Sequence, residues 1–404
     1  MNTKLIVLSI FAATAVTVTF FPSFQHALAI TNQTPVLVDP VDITAIANQR
    51  PKIEVVFVLD TTGSMSGLID AAKEKIWSIA NTMASAQTAP DIKMGLVAYR
   101  DRGDAYITQT VPLSSDLDSI HATLMDFQAD GGGDSPESVN QALDDAINKI
   151  SWSQDQNSYK VVFLIGDAPP HLDYQDDIQY PQTLALAKQK GIIINAIQCG
   201  QDSVTAATWQ QIASLGLGDY FQVDQSGNAV ALATPFDKKL ADLSAKLDDT
   251  RLYYGDEKTK VKQGRKLAAA AKLKRESSEK SLARRATFNV SESGEINFLG
   301  EGELVDAIIL GNVELASIAE EELPKSMQAM SIEQQQVFIA EKNKHRQRYQ
   351  QEIADLAKKR DNFLTQKVAE SGEEKDSLDG KIYSSIKKQA KEKGLIYDED
   401  SAKY

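Results

Sequence analysis

Residues 53–66, IEVVFVLDTTGSMS, join an apolar run to oxygen-bearing side chains at a fixed spacing. The run ends in a carboxylate, Asp60, and hydroxyls follow at Thr62 and Ser64. A buried strand that delivers one carboxylate and two hydroxyls to its carboxyl end can hold a small hard cation, because oxygen ligands suit Mg²⁺. Such a loop leaves room for waters and for one group from outside. The alternative is that the two hydroxyls only cap the next helix.

A second segment with ligand chemistry is ADGGGDSPESVNQAL, residues 129–143. Its three consecutive glycines allow backbone geometry and a close approach that other residues resist. Asp134 follows them directly and is the first choice of ligand here, with Ser135 second. Pro136 is expected to open a helix with Glu137 in its first turn, where a negative charge is favourable. Glu137 is therefore expected to stabilise the helix start, at the rim of the site.

The third segment is VVFLIGDAPPHLDY, residues 161–174, in which Asp167 closes another apolar strand. The carboxyl ends of parallel strands meet at one edge of a sheet, so Asp167 is expected beside Asp60. His171 either neighbours the cation or its ligand, or is a rim histidine with neither role. Three acidic groups and two hydroxyls make an oxygen-only donor set, which indicates Mg²⁺, with Mn²⁺ or Ca²⁺ as alternatives, rather than zinc.

Strand and helix patterns alternate between residues 51 and 250 and must position these loops. Several strand candidates are continuous apolar runs, as in parallel strands covered on both faces. The predicted fold is α/β, a doubly wound, mostly parallel sheet flanked by helices, with ligands at the strand carboxyl ends. The strand candidates are Ile53–Leu59, Ile92–Tyr99, Ile107–Pro112, Lys160–Gly166, Ile192–Cys199 and Tyr220–Val223.

The pattern D-x-[ST]-x-S at residues 60–64 resembles the metal-ion-dependent adhesion site of von Willebrand factor A domains. The segment GGGDSPE at 131–137 resembles the subgroup that includes the A domains of hemicentins and of alpha-kinase-linked proteins. Many relatives place a threonine in the second loop, and this chain does not. The resemblance implies that the hydroxyls bind the cation directly and that Asp60 binds it directly or through water. It also implies that an Asp or Glu of a protein partner completes the coordination.

The segment AYRDRGDAY, residues 98–106, follows a strand on the same face as the metal loops. Arg100 and Asp101 are candidates for the rim of the site. Residues 102–104 spell Arg-Gly-Asp, the tripeptide that integrins recognise. The similar Y-R-D segment of related A domains favours a structural loop held by salt bridges.

The first 29 residues are predicted to be a signal peptide, so the protein is expected to be exported to the periplasm or secreted. Lys4 gives a positive start, Leu5 to Phe21 is almost wholly apolar, and Ala27-Leu28-Ala29 has the cleavage pattern. The alternative is an uncleaved anchor, since the apolar stretch is at the lower limit for spanning a bilayer. After cleavage no membrane span is expected. Residues 30–50 are predicted to be a linker, and 51–250 the A domain.

Residues 251–404 are predicted to be a mainly helical, charged region. A helix is expected over 256–286, and Ser331 with Gln334 forms a capping box that opens another, running to about Ala369. Its apolar stripe is interrupted by Arg360, so packing against a helix of the same chain competes with a coiled coil. The segment from Leu323 to Leu364 resembles a tail that follows A domains in exported bacterial proteins.

Composition excludes several classes of function. Acidic residues outnumber basic ones, 56 to 43, and the net charge of −13 makes nucleic acid an unsuitable partner. Cys199 is the single cysteine, so no intramolecular disulfide forms, and it is expected to be a small buried side chain at a strand end. The four histidines form no Ser-His-Asp order, and there is no Walker loop or kinase signature. The protein is therefore not expected to be an enzyme.

Three hypotheses of function follow. The leading one is a metal-dependent module for protein binding or cell adhesion, in which a partner carboxylate completes the cation's coordination. The second is an assembly or chaperone-like scaffold of the cell envelope that uses the A domain and the C-terminal helices. The third is a metal-assisted phosphohydrolase, which would need a general base or a second metal.

Overall fold

Six β-strands form one sheet in the part of the chain that the computed structural model describes, residues 50–133, 135–226, 232–371 and 378–397. The predicted signal peptide and all but Arg50 of the predicted linker lie outside these residues. The strands are β1 (Lys52–Asp60), β2 (Asp91–Tyr99), β3 (Thr108–Ser114), β4 (Tyr159–Gly166), β5 (Ile192–Cys199) and β6 (Leu217–Val223). Their order across the sheet is β3-β2-β1-β4-β5-β6.

The strand order reverses at β1, which pairs in parallel with β2 on one side and with β4 on the other. β4, β5 and β6 continue in parallel, whereas β3 at the edge is antiparallel to β2. A reversal of this kind leaves a crevice between the carboxyl ends of the two strands, where open α/β sheets bind ligands. The predicted mostly parallel, doubly wound sheet is confirmed.

Helices cover both faces of the sheet. On one face Phe57 and Leu59 pack against α1 (Ser66–Ala84) and α2 (Leu117–Asp126). On the other face Val56 and Val58 pack among residues of three helices. These are α3 (Val139–Asn148), α4 (Tyr180–Gln189) and α5 (Ser203–Leu215). Successive residues of β1 are thus buried on opposite faces, which explains why its sequence is continuously apolar.

The chain after β6 is helical. Its helices are α6 (Asp237–Asp248), α7 (Glu257–Glu276), α8 (Glu279–Asn289), α9 (Glu295–Leu299), α10 (Leu304–Ile309), α11 (Ile332–Ser371) and α12 (Leu378–Ala390). The single helix predicted over residues 256–286 is wrong. The chain breaks at Ser277 and Ser278 because the Ser278 side chain caps α8, accepting a hydrogen bond from the backbone N–H of Ser281.

The capping box at the start of α11 is confirmed. Ser331 Oγ accepts from the backbone N–H of Gln334 over 3.3 Å, and Gln334 Oε1 accepts from the backbone N–H of Ser331 over 2.9 Å. α11 packs against α6 of the same chain, with Ile353 among the α6 leucines. Arg360 interrupts the apolar stripe because its Nε donates to Oδ1 of the buried Asp237, 2.8 Å away.

A buried ion pair ties the C-terminal helices to the sheet domain. Arg285 of α8 donates through Nε and Nη2 to the two carboxylate oxygens of Asp118 on α2, each over 2.6 Å. Its Nη1 also donates to Asp248 of α6 over 2.8 Å. Burial opposes the charge on Asp118, but the guanidinium of Arg285 outweighs it and holds the pKa of Asp118 well below its usual range.

α12 returns to the sheet and shares its core. Leu378, Ile382 and Ile386 are at most 1 % exposed and belong to the same apolar cluster as Phe57 and Leu59. The described residues from Arg50 onward form one compact unit. The division of the chain into residues 51–250 and 251–404 stays a prediction. Within the described segments, no helix has both the length and the apolar character to cross a membrane.

Candidate functional site

The crevice between β1 and β4 brings together two of the predicted metal ligands. Asp60 is the last residue of β1, and Asp167 follows the last residue of β4. The strands lie in register, with Leu59 opposite Ile165. Gly166 allows this close approach, because a Cβ there would lie 2.9 Å from Cβ of Asp60 and 2.4 Å from the hydroxyl of Tyr99.

The first loop is held by hydrogen bonds to one oxygen of Asp60. Its Oδ1 accepts from the backbone N–H of Thr62 over 2.8 Å and from Oγ1 of Thr62 over 2.7 Å. Oγ of Ser64 lies 3.4 Å from Oγ1 of Thr62. Thr62 makes no side-chain cap to the short 3₁₀ turn that follows it, Gly63–Met65. The capping alternative is therefore wrong for Thr62, whose hydroxyl faces the carboxylate.

The other oxygen of Asp60 is buried and has no hydrogen-bond partner among the described residues. Burial, with a smaller contribution from the negative charge of Asp167, raises the pKa of Asp60 to about 7 despite the hydrogen bonds from Thr62. A carboxylate oxygen in this position lacks either a proton or a cation. Within the described segments, one carboxylate oxygen at the end of β1 is therefore left without a positively charged partner.

The second loop packs directly on the first. The backbone N–H of Gly63 donates to the carbonyl of Gly131 over 3.2 Å. Gly131 and Gly132 have φ angles of 77° and 80°, which glycine adopts without strain. A Cβ at Gly132 would lie 3.1 Å from Cβ of Thr62 and 3.3 Å from Oε1 of Glu137. The glycine run thus packs closely against the side chain of Thr62.

Asp134, the predicted ligand of this loop, lies outside the described residues, and Ser135 beside it is exposed. The helix-start role expected for Glu137 is wrong, because α3 begins at Val139 and Glu137 precedes it. Glu137 is instead buried, with Oε2 lacking a hydrogen-bond partner in the described parts of the chain. Burial, followed by repulsion from Asp60 and other aspartates, raises the pKa of Glu137 to about 9.

Gln225, in the loop after β6, is a site residue that the sequence did not reveal. Its side-chain amide donates to Oδ2 of Asp167 over 2.6 Å and to the backbone carbonyl of Ser64 over 3.2 Å. One side chain therefore links the first and third loops. The only signal available in the sequence was its place just beyond the carboxyl end of a parallel strand.

Arg100 and Asp101 hold the loops of the site in place by hydrogen bonds. Arg100 donates to the carbonyl of Thr61 over 3.2 Å and to that of Gln128 over 2.8 Å. Asp101 accepts from Oγ of Ser138 over 2.8 Å. Both side chains are buried, so they position the backbone of the metal loops.

His171 lies between two carboxylates. Its Nε2 is 3.3 Å from Oδ2 of Asp101, and its Nδ1 is 2.8 Å from Oδ1 of Asp173. The imidazole also stacks on the ring of Tyr174, with centroids 4.0 Å apart. These contacts hold the imidazole of His171 among Asp101, Asp173 and Tyr174, and its relation to a cation or ligand stays a prediction.

Both charged side chains of the Arg-Gly-Asp tripeptide bind other residues of this chain. Arg102 forms ion pairs with Asp176 over 2.9 Å and with Asp177 over 2.5 Å. Oδ2 of Asp104 accepts from the backbone N–H of Gly132 over 3.1 Å. The prediction of a structural, salt-bridged loop is confirmed, and this loop supports the glycine run.

The donors at this edge fit a hard cation. No group of three or more His, Cys, Asp or Glu side chains in the described segments is arranged to hold a metal. The donors that do meet are hydroxyls of Thr62 and Ser64 with the carboxylates of Asp60 and Asp167, and such an oxygen set suits Mg²⁺, Mn²⁺ or Ca²⁺. The unpartnered oxygen of Asp60 is the structural sign that a cation belongs there.

Comparison with known proteins identifies the sheet domain. A family model described as von Willebrand factor A domain matches residues 54–230. The chain is 30% identical over 120 residues to the alpha-protein kinase vwkA of Dictyostelium discoideum, covering 30% of this chain and 19% of that protein. It is 32% identical over 129 residues to human von Willebrand factor A domain-containing protein 7, covering 32% of this chain and 13% of that one. The match thus spans less than a fifth of each relative.

Solved structures are also similar to part of the chain. One is a von Willebrand factor type A protein from Catenulispora acidiphila, with 18% identity, coverage of 45% of this chain and 40% of that chain, and a TM-score of 0.34. Another is proximal thread matrix protein 1 from the mussel byssus with a zinc-occupied adhesion-site motif, with 16% identity, coverage of 43% and 42%, and a TM-score of 0.35.

Proposed function

We propose that this protein, whose residues 54–230 are a von Willebrand factor A domain, holds a divalent cation at the ends of β1 and β4 and binds a protein partner through it. The observation that carries the proposal is the buried, unpartnered Oδ2 of Asp60 beside the hydroxyls of Thr62 and Ser64. Bound there, the cation would supply an open coordination position for a carboxylate of the partner.

The charge balance of the crevice supports a cation. The carboxylates of Asp60, Asp167 and Glu137 repel one another, and that repulsion contributes to the raised pKa values of Asp60 and Glu137. A divalent ion would offset two of these three negative charges and favour the ionised form of the cluster. Mg²⁺ is the first candidate, because hydroxyl and carboxylate oxygens with retained waters are its usual ligands.

The surface around the crevice supports a protein partner. Leu172 and Val204 are each 63 % exposed. Leu172 lies on the loop after β4 and Val204 in the first turn of α5, after β5, at the same edge of the sheet as Asp60. Val204 adjoins Thr205, whose Oγ1 donates to the carbonyl of Asp167 over 3.2 Å. Exposed apolar side chains beside a charged centre are typical of protein-binding surfaces. A partner would therefore present an Asp or Glu together with apolar side chains.

We propose a binding role without catalysis, at an exported location in the periplasm or medium. Among the described residues, the histidine at the rim is His171, and both of its ring nitrogens are engaged by Asp101 and Asp173, which leaves it poorly placed as a general base. The signal-peptide pattern of residues 1–29 supports export.

The test is a selection from a displayed random peptide library on the immobilised full chain in Mg²⁺. We expect peptides that share an Asp or Glu, whose binding is lost when EDTA is added or when that residue is replaced by its amide. Asp60→Ala should abolish their binding. Asp173→Ala, which removes an exposed carboxylate at the rim, should retain it. Binding that survives EDTA and the amide replacement would refute the carboxylate mechanism.

A further inference from the structure

A cleft lies where the sheet domain meets the C-terminal helices, at the opposite edge of the sheet from Asp60. β3 runs antiparallel to its neighbour, so its end at Ser114 lies toward the amino ends of the parallel strands. The cleft is lined on the sheet side by the end of β3, the short connection after it and the first turn of α2. On the helical side it is lined by α7, by Tyr253 and by α9 with the two residues after it. Its volume is about 620 Å³, within the range of small-molecule sites.

Three cationic side chains of α7 line the cleft, and two of them are already paired. Lys266 lies 2.9 Å from Oδ1 of Asp116, and Lys262 lies 3.0 Å from Oε2 of Glu301. Arg265 forms no ion pair or hydrogen bond with any described residue. The cleft therefore has a surplus positive charge in a chain whose net charge is −13.

Hydrogen bonds of two lining side chains hold the walls of the cleft in place. The hydroxyl of Tyr253 donates to the carbonyl of Leu299 over 2.7 Å. Gln263 donates to the carbonyl of Tyr254 over 2.9 Å. Gly300 has a φ of 70° and leaves space for the side chain of Lys266, because a Cβ at position 300 would lie 2.9 Å from Cδ of Lys266. The site is preorganised, which lowers the entropic cost of binding.

From these observations we propose that the cleft binds a small organic anion, with its carboxylate or phosphate group on the guanidinium of Arg265. A guanidinium presents a planar fork of donors that matches both anion types. Ser115 also lines the cleft and carries a hydroxyl. Ile296, which is 46 % exposed, offers an apolar surface for the remainder of the ligand. None of these residues belongs to the cation site.

The experiment is a calorimetric titration of the full chain with benzoate, with phenyl phosphate and with inorganic phosphate. We expect saturable binding of benzoate or phenyl phosphate, and the stronger of the two identifies the anionic group. Arg265→Ala should weaken it by about tenfold or more, because a charge-assisted pair is lost. Arg275→Ala, an exposed arginine on the same helix outside the cleft, should leave it unchanged. Ile296→Ala should weaken the binding of benzoate or phenyl phosphate and leave the binding of inorganic phosphate unchanged.

Melting curves of each variant would verify folding, which the exposed positions of Arg265 and Arg275 should preserve. An absence of saturable heat with both aromatic probes would overturn the proposal. Equal binding by the wild type and Arg265→Ala would also overturn it.

Discussion

The side-chain amide of Gln225 donates a hydrogen bond to Oδ2 of Asp167 over 2.6 Å. The same nitrogen donates to the carbonyl of Ser64, so the loop after β6 holds two loops of the cation site in one arrangement. Replacing a residue that orients a metal ligand in this way typically lowers the metal affinity by about 10- to 100-fold.

Gln225→Ala should therefore weaken Mg²⁺ binding by about tenfold, the lower end of the usual effect of such positioning residues. Calorimetry on the full chain would measure it. The matched control is Gln222→Ala, which removes a glutamine on β6 whose amide donates to the carbonyl of Gly200 and does not reach Asp167. An unchanged affinity in Gln225→Ala would show that the contact does not position Asp167 for the cation.

Cation binding should strengthen with pH. The raised pKa values of Asp60, about 7, and Glu137, about 9, mean that the cation-free fold binds more protons than the unfolded chain. Without the cation, the stability that these groups contribute is present below their unfolded pKa values, near 3.8 and 4.5, and is lost as pH rises through 7 and 9. Protons and cation compete, so Mg²⁺ affinity should fall by about tenfold per pH unit below 7 for each proton displaced.

Melting temperatures with and without Mg²⁺ across pH 5 to about 9 would measure this linkage. The stabilisation by Mg²⁺ should be largest at the alkaline end. Asp60→Asn should reduce the pH dependence of the stabilisation by Mg²⁺ near pH 7. A Mg²⁺ effect that is constant across the range would contradict the proton competition.

The last described segment should be necessary for the stability of the A domain. Ile386 of α12 is fully buried in the core cluster that contains Phe57. Ile386→Ala should lower the free energy of unfolding by about 2–5 kcal/mol, as measured by urea denaturation. Ser384→Ala, at an exposed position of the same helix, should change it by less than about 0.5 kcal/mol. Similar values for the two variants would show that α12 is not part of the core.

Replacing one partner of the ion pair between Arg285 and Asp118 should lower the free energy of unfolding. Arg285→Met leaves Asp118 buried with only the more distant ammonium of Lys266, 4.0 Å away, so it should cost about 3–5 kcal/mol of stability. The double variant Arg285→Met with Asp118→Leu should recover part of the loss. Arg348→Ala, an exposed arginine of α11 that lies 3.8 Å from Glu352, is the control and should be nearly neutral. A loss below about 1 kcal/mol in Arg285→Met would contradict the predicted cost.

The sheet and the meeting of Asp60 with Asp167 could be predicted from the sequence. Each aspartate ends an apolar strand, and parallel strands place their carboxyl ends at one edge. The apolar run before Cys199 likewise predicts a buried cysteine at a strand end, and its side chain is 1 % exposed.

The partners of long-range contacts could not be predicted. The apolar stripe of α12 indicates that one face is buried, but periodicity does not identify the surface that buries it. Gln225 belongs to a loop without a motif, and its role depends on tertiary contacts with Asp167 and Ser64. The position of Glu137 was mistaken because Pro136 suggested a helix start three residues before the observed one, at Val139.

The central claim is that the end of β1 holds a divalent cation, and calorimetric titration of the full chain with Mg²⁺ tests it most directly. The wild type should bind saturably, and Asp60→Ala and Asp167→Ala should each lose that binding while keeping a cooperative melting transition. Mn²⁺ and Ca²⁺ titrations would rank the cations. Absence of Mg²⁺, Mn²⁺ and Ca²⁺ binding in the wild type, or undiminished binding in both folded variants, would contradict the account.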